Sequence, residues 1–343
     1  MTAEHAPEPM RSLLDWLLAR HPDTPKKRAK QWITAGRVSV HGIVIRQPNH
    51  AMPDPLDGLE LLGRQPASLD FGPGGWKIHP RVTLLYLDTA LAVVNKGPGL
   101  ISVPAENAEL SALSILADFL SGKLRAHDRG QPGQGRSLPP AWRRLEPLPV
   151  HRLDQYTSGV FCLAMNPAAR QKLTDQLKSH TMKREYVAYV EGRPRQPSGT
   201  WKNWLKPSED ELRQFVVTDA EAAASGGEAV EAITHYEVAA EFPLPGGREI
   251  VSKLRLRLET GRKHQIRAQA AFAGLPLVGD RTYHPNYRKA APRPPRIDFP
   301  RQALHAETLG LEHPDKPGSR MTWTAALPGD LQQLEHTLRS GRA

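Results

Sequence analysis

The chain has 343 residues, 39% hydrophobic and 24% charged, with a formal net charge of +10. That apolar share supports a packed core and excludes a wholly disordered chain, and at roughly 150 residues per domain the length points to about two domains. No apolar stretch reaches the roughly 18 residues of a transmembrane helix, and the acidic start MTAEHAPEPM is unlike a secretory leader.

One cysteine, Cys162, excludes an internal disulfide and a multi-cysteine zinc site. The 14 histidines are scattered without an HExxH or HxH cluster, so no metal site is expected from them. The reading is of a cytoplasmic, monomeric protein away from membranes. Its basic excess favours a polyanionic partner. The excess is concentrated in two blocks: residues 11–50 carry eight Lys/Arg against two Asp/Glu, and residues 262–301 nine against two.

Residues 1–9 read as a flexible tail. A helix is expected from about Ser12, with Leu13, Leu14, Trp16, Leu17 and Leu18 apolar. Asp23-Thr24-Pro25 signals a second helix start before the basic KKRAKQWI, with Gly36 as its stop. RVSVHGIVI alternates around a turn at His41-Gly42, which predicts a hairpin. This unit spans 10–63, and residues 64–83, broken by Pro and Gly, read as a linker.

A second unit, 84–328, opens with LLYLDTALAVVNKGPGL, two strands around Asp88-Thr89. Residues 127–140 read as a loop. Strand-like runs follow at 160–165, 186–191, 213–217 and 251–258, and helical runs at 167–179 and 264–273. Residues 208–231, with seven acids and one Arg, read as a solvated insertion, and 329–343 as a C-terminal tail. Strands and helices mix without regular βαβ alternation, which predicts an α+β fold.

Three segments hold residues suited to chemistry. In His151-Arg152-Leu153-Asp154-Gln155-Tyr156-Thr157-Ser158-Gly159 a polar loop runs into the apolar VFCLAM, placing Asp154 at a sheet edge. Arg152, Thr157 and Ser158 would favour its ionised form, as a nucleophile or base requires; the alternative is a turn residue capping backbone N–H groups. In Glu259-Thr260-Gly261-Arg262-Lys263-His264-Gln265-Ile266-Arg267, His264 and Arg267 share a helix face, so Arg267 can meet a carboxylate from elsewhere; the alternative is a solvated basic helix start. In Lys183-Arg184-Glu185-Tyr186-Val187-Ala188-Tyr189-Val190-Glu191-Gly192, Tyr186 is either a stacking face for a flat ligand or a core aromatic.

Together these segments resemble the RluA-type pseudouridine synthase family. HRLDQYTSG matches the HRLDxxTSG signature, KREYVAYVEG the Lys-x-Tyr segment, and ETGRKHQIR the TGRTHQIR motif. LYLDTALAVVNKGPGL, LPLVGDRTY and ALHAETLGLEHP resemble its opening and closing motifs, and residues 10–63 resemble the S4 RNA-binding module. The chain departs from the pattern at Gly97-Pro98, at Lys263 and in the spacing from Lys183 to Tyr186. The resemblance implies an α+β fold: a mixed, mostly antiparallel catalytic sheet preceded by a small S4 (αL-type) domain. It implies a cofactor-free RNA uridine isomerase, with Asp154, Tyr186 and Arg267 catalytic.

Arg152, Thr157, His264, Gln265 and Lys96 are then expected at the substrate. Lys26, Lys27, Arg28, Lys30 and Arg37 are expected to grip the RNA backbone. RNA rather than DNA is the expected partner, with large-subunit ribosomal RNA favoured and tRNA open. A binding-only ribosome-assembly factor is the rival from another class. A glycosidase-like hydrolase would need a second acid near Asp154.

Overall fold

The computed structural model describes residues 11–53, 57–61, 68–104, 110–124, 138, 142–143, 145–247, 249–287, 294 and 296–341. The chain divides into two compact units, residues 1–67 with 137–144, and residues 68–136 with 145–343. The expected tail 1–9, most of the 127–140 loop and the end of the first unit at Gly63 lie outside the described residues.

In the first unit, β1 (Arg11–Ser12) leads into α1 (Leu13–Arg20), where the Ser12 hydroxyl caps the helix by accepting from Asp15 N. α2 (Lys26–Thr34) starts after Pro25 without a side-chain cap. It closes in a Schellman motif: Gly36, at φ +69°, donates to Ile33 O and Arg37 to Trp32 O. β2 (Val38–Val40) and β3 (Ile43–Val44) form the expected hairpin, with His41 and Gly42 both at positive φ. β4 (Ala51–Met52) pairs β1, and β5 (Leu59–Leu61) pairs β2. Leu13, Leu17, Ala29, Ile33 and Val38 form its core.

The second unit holds β6 (Leu69–Asp70), β7 (Trp76–His79), β8 (Val82–Leu87), β9 (Leu91–Lys96), α3 (Ala112–Ser121), β10 (Leu148–Pro149) and β11 (Ser158–Ala164). Then come α4 (Pro167–Lys178), β12 (Lys183–Glu191), β13 (Ser198–Pro207), β14 (Gln214–Val217), α5 (Asp219–Ala224), β15 (Val230–Pro243) and β16 (Ile250–Leu258). α6 (Gln265–Phe272), β17 (Leu304–Glu312), β18 (Arg320–Thr324) and α7 (Gly329–Arg339) complete it. The strands form one sheet of order β14-β13-β15-β16-β12-β17-β11-β9-β8-β6, in which β7 also pairs β8, β10 pairs β11 and β18 pairs β17.

Every strand pair in that sheet is antiparallel except β11 with β17. Where they run parallel, Gly159 sits at φ +121°, and a Cβ there would fall on the Ala306 backbone. Only glycine fits, which accounts physically for the Ser-Gly that opens β11.

Three sequence expectations are corrected. Residues 64–83 are not all linker: β6 and β7 lie within them and pair β8. Residues 329–343 are not simply a tail, because α7 buries Leu331, Leu334 and Leu338 against Val187, Tyr189 and Val251. The acidic stretch 208–231 holds an edge strand, β14, and the short helix α5, which buries nothing. The spacing of Leu331, Leu334 and Leu338 carried the helical signal for α7.

α6 lies on the opposite face from α7. Cross-strand partners share a face, and Tyr186 pairs Leu256 while Thr234 pairs Leu258 and bonds Gln269 of α6. Tyr186 therefore faces the α6 side, and Val187 and Tyr189 face α7.

Candidate active site

The loop from Val150 to Thr157 carries Asp154 and is fixed at several points. Ser102 Oγ accepts from Leu153 N and donates to Leu153 O. Thr157 N donates to Asp154 O at 3.0 Å. His151 Nε2 accepts from Cys162 N at 3.1 Å, so its proton sits on Nδ1. Burial, with the charge of Arg184, lowers the His151 pKa to about 3 and keeps the ring a neutral acceptor.

Two buried cations hold the far side of the loop. Lys96 Nζ donates to the carbonyls of Gly97, Leu100 and Gln155. Burial lowers its pKa to about 7 against the opposing pull of Asp154. Arg301 Nη1 donates to Tyr156 O, while its Nε and Nη2 grip Asp330 of α7 at 2.6 and 3.0 Å.

The Asp154 side chain is 19% exposed, and Arg267 Nη1 donates to its Oδ2 at 3.2 Å. Arg267 Nε and Nη2 donate to the two oxygens of Asp280 at 2.7 and 2.9 Å. Asp280 is fully buried and also accepts from the backbone of Thr282 and Tyr283. Burial alone would lower the Arg267 pKa, but the hydrogen bonds and charge of Asp280, joined by Asp154, raise it, so the guanidinium stays charged.

His264 Nε2 lies 4.0 Å from Asp154 Oδ1, and its Nδ1 lies 3.1 Å from the Tyr283 hydroxyl. Burial lowers its pKa to about 4 despite Asp154, leaving the ring neutral at pH 7. It adopts φ +54° at the start of α6, a left-handed conformation for which histidine is enriched among non-glycine residues.

Asp154, Arg152, Tyr186, Leu258, Ile266 and Arg267 line a cavity of about 770 Å³. Tyr186 is 8% exposed, and burial raises its pKa, so it stays a neutral phenol. Arg152 is exposed at the same cavity. The fold thus brings Asp154, Tyr186, Arg267, Arg152 and His264 together from three separated segments.

Three expected substrate contacts have other work. Lys96 is fully buried under the loop, so it positions backbone instead of facing RNA. Gln265 is buried and bonds Thr260, Arg262 N, Ile233 O and Thr234, which fixes the turn before α6. Thr157 is buried, with Gln302 Nε2 at 3.4 Å from its hydroxyl, although it borders the cavity.

Asp280 and Arg301 were not singled out from the sequence. Asp280 lies within LPLVGDRTY, noted only as a motif match, and Arg301 lies two residues before ALHAETLGLEHP, outside every motif quoted. Asp280 is a second acid near Asp154, but it lies wholly buried behind Arg267 and cannot reach a ligand. The carboxylate pair of a glycosidase is therefore absent from the described residues. In the first unit Lys26, Lys27, Arg28 and Lys30 are all exposed, while Arg37 is half-buried with its guanidinium 5.1 Å from the Trp32 ring centroid.

The family model for RNA pseudouridylate synthase matches residues 90–272. The chain is 30% identical over 324 residues to an uncharacterized RNA pseudouridine synthase of Bacillus subtilis (strain 168), covering 94% of this chain and 93% of that one. It is 30% identical over 343 residues to the ribosomal large subunit pseudouridine synthase D of Yersinia pestis, covering 95% and 91%. The solved structure of human RNA pseudouridylate synthase domain containing 4 superposes with a TM-score of 0.52 at 21% identity, over 77% of this chain and 93% of that chain, a likeness of fold. The chain belongs to the RNA pseudouridylate synthase family and is an isomerase acting on RNA.

Proposed function

We propose that this enzyme isomerises uridine in structured large-subunit ribosomal RNA, with Asp154 as its catalytic carboxylate. The observation that carries the reading is Asp154 at the cavity wall, held by an arginine that a fully buried acid anchors. A carboxylate so held is aimed into the cavity, as attack on C1′ or removal of a proton requires.

The isomerisation breaks the N1–C1′ bond, turns the base and joins C5 to C1′. The C5 proton leaves and N1 gains one, so no electrons enter or leave. Tyr186, a neutral phenol on the cavity wall, supplies a stacking face for the detached base. Arg152 fills the gap left by the flipped nucleotide, whose extrusion costs a few kcal/mol.

The first unit acts as an S4-type grip on the RNA backbone through Lys26, Lys27, Arg28 and Lys30. Two features support ribosomal RNA over tRNA: the resemblance of residues 10–63 to the S4 module, and relatives named for the large ribosomal subunit across nearly the whole chain. The enzyme works in the cytoplasm as a monomer.

The test is tritium release from C5-labelled RNA, with deproteinised large-subunit ribosomal RNA and a tRNA pool in parallel. Release from the ribosomal RNA alone is expected. Release from tRNA alone would overturn the substrate assignment and leave the chemistry standing.

A further inference from the structure

We propose that Tyr156, Gly99 and Arg81 form a slot for a nucleotide next to the target uridine, with its base on the Tyr156 ring and its phosphate on Arg81. The proposal rests on the reading of this enzyme as an RNA uridine isomerase and deepens it.

Tyr156 lies two residues beyond Asp154, yet its side chain is 48% exposed and stands outside the cavity that holds Asp154. Single exposed aromatics are common on proteins and mean little alone. This one differs in its support. The backbone on either side of it is pinned from below, with Gln155 O accepting from Lys96 and Tyr156 O from Arg301, both buried. A ring on so rigid a loop loses little conformational freedom when a base stacks on it.

The second wall is cationic. Arg81 is exposed, and its Nη1 donates to Gly99 O at 3.2 Å. Gly99, at φ +77°, forms the floor. A Cβ there would lie 3.5 Å from Arg81 Nη1 and 4.0 Å from Tyr156 Cε1, so the missing side chain keeps open the space between guanidinium and ring. A flat aromatic face, an exposed guanidinium and a glycine floor suit one nucleotide of a single strand, held by stacking and charge without base readout. Extruding the target uridine is what would unstack such a neighbour.

Arg152 lines the cavity that holds Asp154, whereas Tyr156, Gly99 and Arg81 do not. With Arg152 in the gap left by the flipped nucleotide, the slot would hold the strand beside it.

The test compares wild type with Tyr156→Ala, Tyr156→Phe and Arg81→Gln, using Phe272→Ser as a control at another exposed aromatic. KM is measured on the RNA the wild type modifies, and Kd is measured for oligouridylate. Loss of one stacked base is expected to raise Kd and KM about tenfold in Tyr156→Ala, with recovery in Tyr156→Phe. Arg81→Gln should lower the slope of log Kd against log salt by about one contact.

A Tyr156→Ala variant with unchanged Kd for oligouridylate, or one matched by Phe272→Ser, would overturn the slot. The binding arm is independent of turnover. Failure of the isomerase reading would appear as wild-type inactivity on all RNA, and failure of the slot as indifference of Kd to Tyr156.

Discussion

At the residue scale, Arg267 shares one guanidinium between two carboxylates. Asp280 takes two of its five N–H groups and Asp154 takes a third. Replacing Asp280 by Asn removes a buried partner charge, which typically costs about 3–5 kcal/mol of stability, and loosens the aim of Arg267. We expect kcat to fall at least about tenfold with RNA affinity unchanged, read by single-turnover kinetics beside a binding isotherm. His264 gives a pH test. With its pKa lowered to about 4 by burial, its protonation adds no limb to the rate profile near pH 6.5. A limb at that pH that vanishes in His264→Gln would contradict this assignment.

The residues that the fold gathers around Asp154 could be picked out from the sequence because each sits in a short ordered motif. Lys96 was expected at the substrate from the motif alone, and its burial under the loop depends on Gln155, 59 residues away. Asp280 lies 13 residues from Arg267, and nothing local marks it as that arginine's anchor.

At the element scale, α7 holds the site from a distance. Its Asp330 grips Arg301, which in turn bonds the carbonyl of Tyr156. Its Glu335 accepts from Tyr189, Lys253 and Arg339 at 2.6 to 2.8 Å. Burial would raise the Glu335 pKa, but those bonds lower it to about 2. Its folded pKa is below its unfolded one, so its contribution is present above pH 4.5 and lost as the pH falls toward 2.

Glu335→Gln should cost about 1.5–3 kcal/mol at pH 7 by urea denaturation, with the difference from wild type narrowing in acid. An equal difference at pH 7 and pH 3 would contradict the linkage. α1, α2, the first hairpin, α4, β16 and α6 follow their local patterns. β13 and β15 gave no such pattern, because their strand identity comes from pairing inside the sheet.

At the scale of the whole molecule, acid should destabilise the fold early. His151 and His264 are neutral in the folded state, with pKa values of about 3 and about 4 against 6.5 unfolded. Between those values the unfolded chain holds protons that the folded chain lacks, so stability falls as pH falls below 6.5. Denaturation midpoints between pH 7 and pH 5 should show a decline that His264→Gln reduces. The α+β class was legible from the mix of strand and helix patterns. The sheet's reach into residues 64–83 was not, because β6 and β7 are short strands that exist only as partners of β8.

The most direct measurement is tritium release from C5-labelled ribosomal RNA by wild type and by Asp154→Asn under single-turnover conditions, with RNA binding measured in parallel. The account predicts release by the wild type, none by Asp154→Asn, and comparable affinity for both. Release by Asp154→Asn at a rate near that of the wild type would contradict the central role of Asp154.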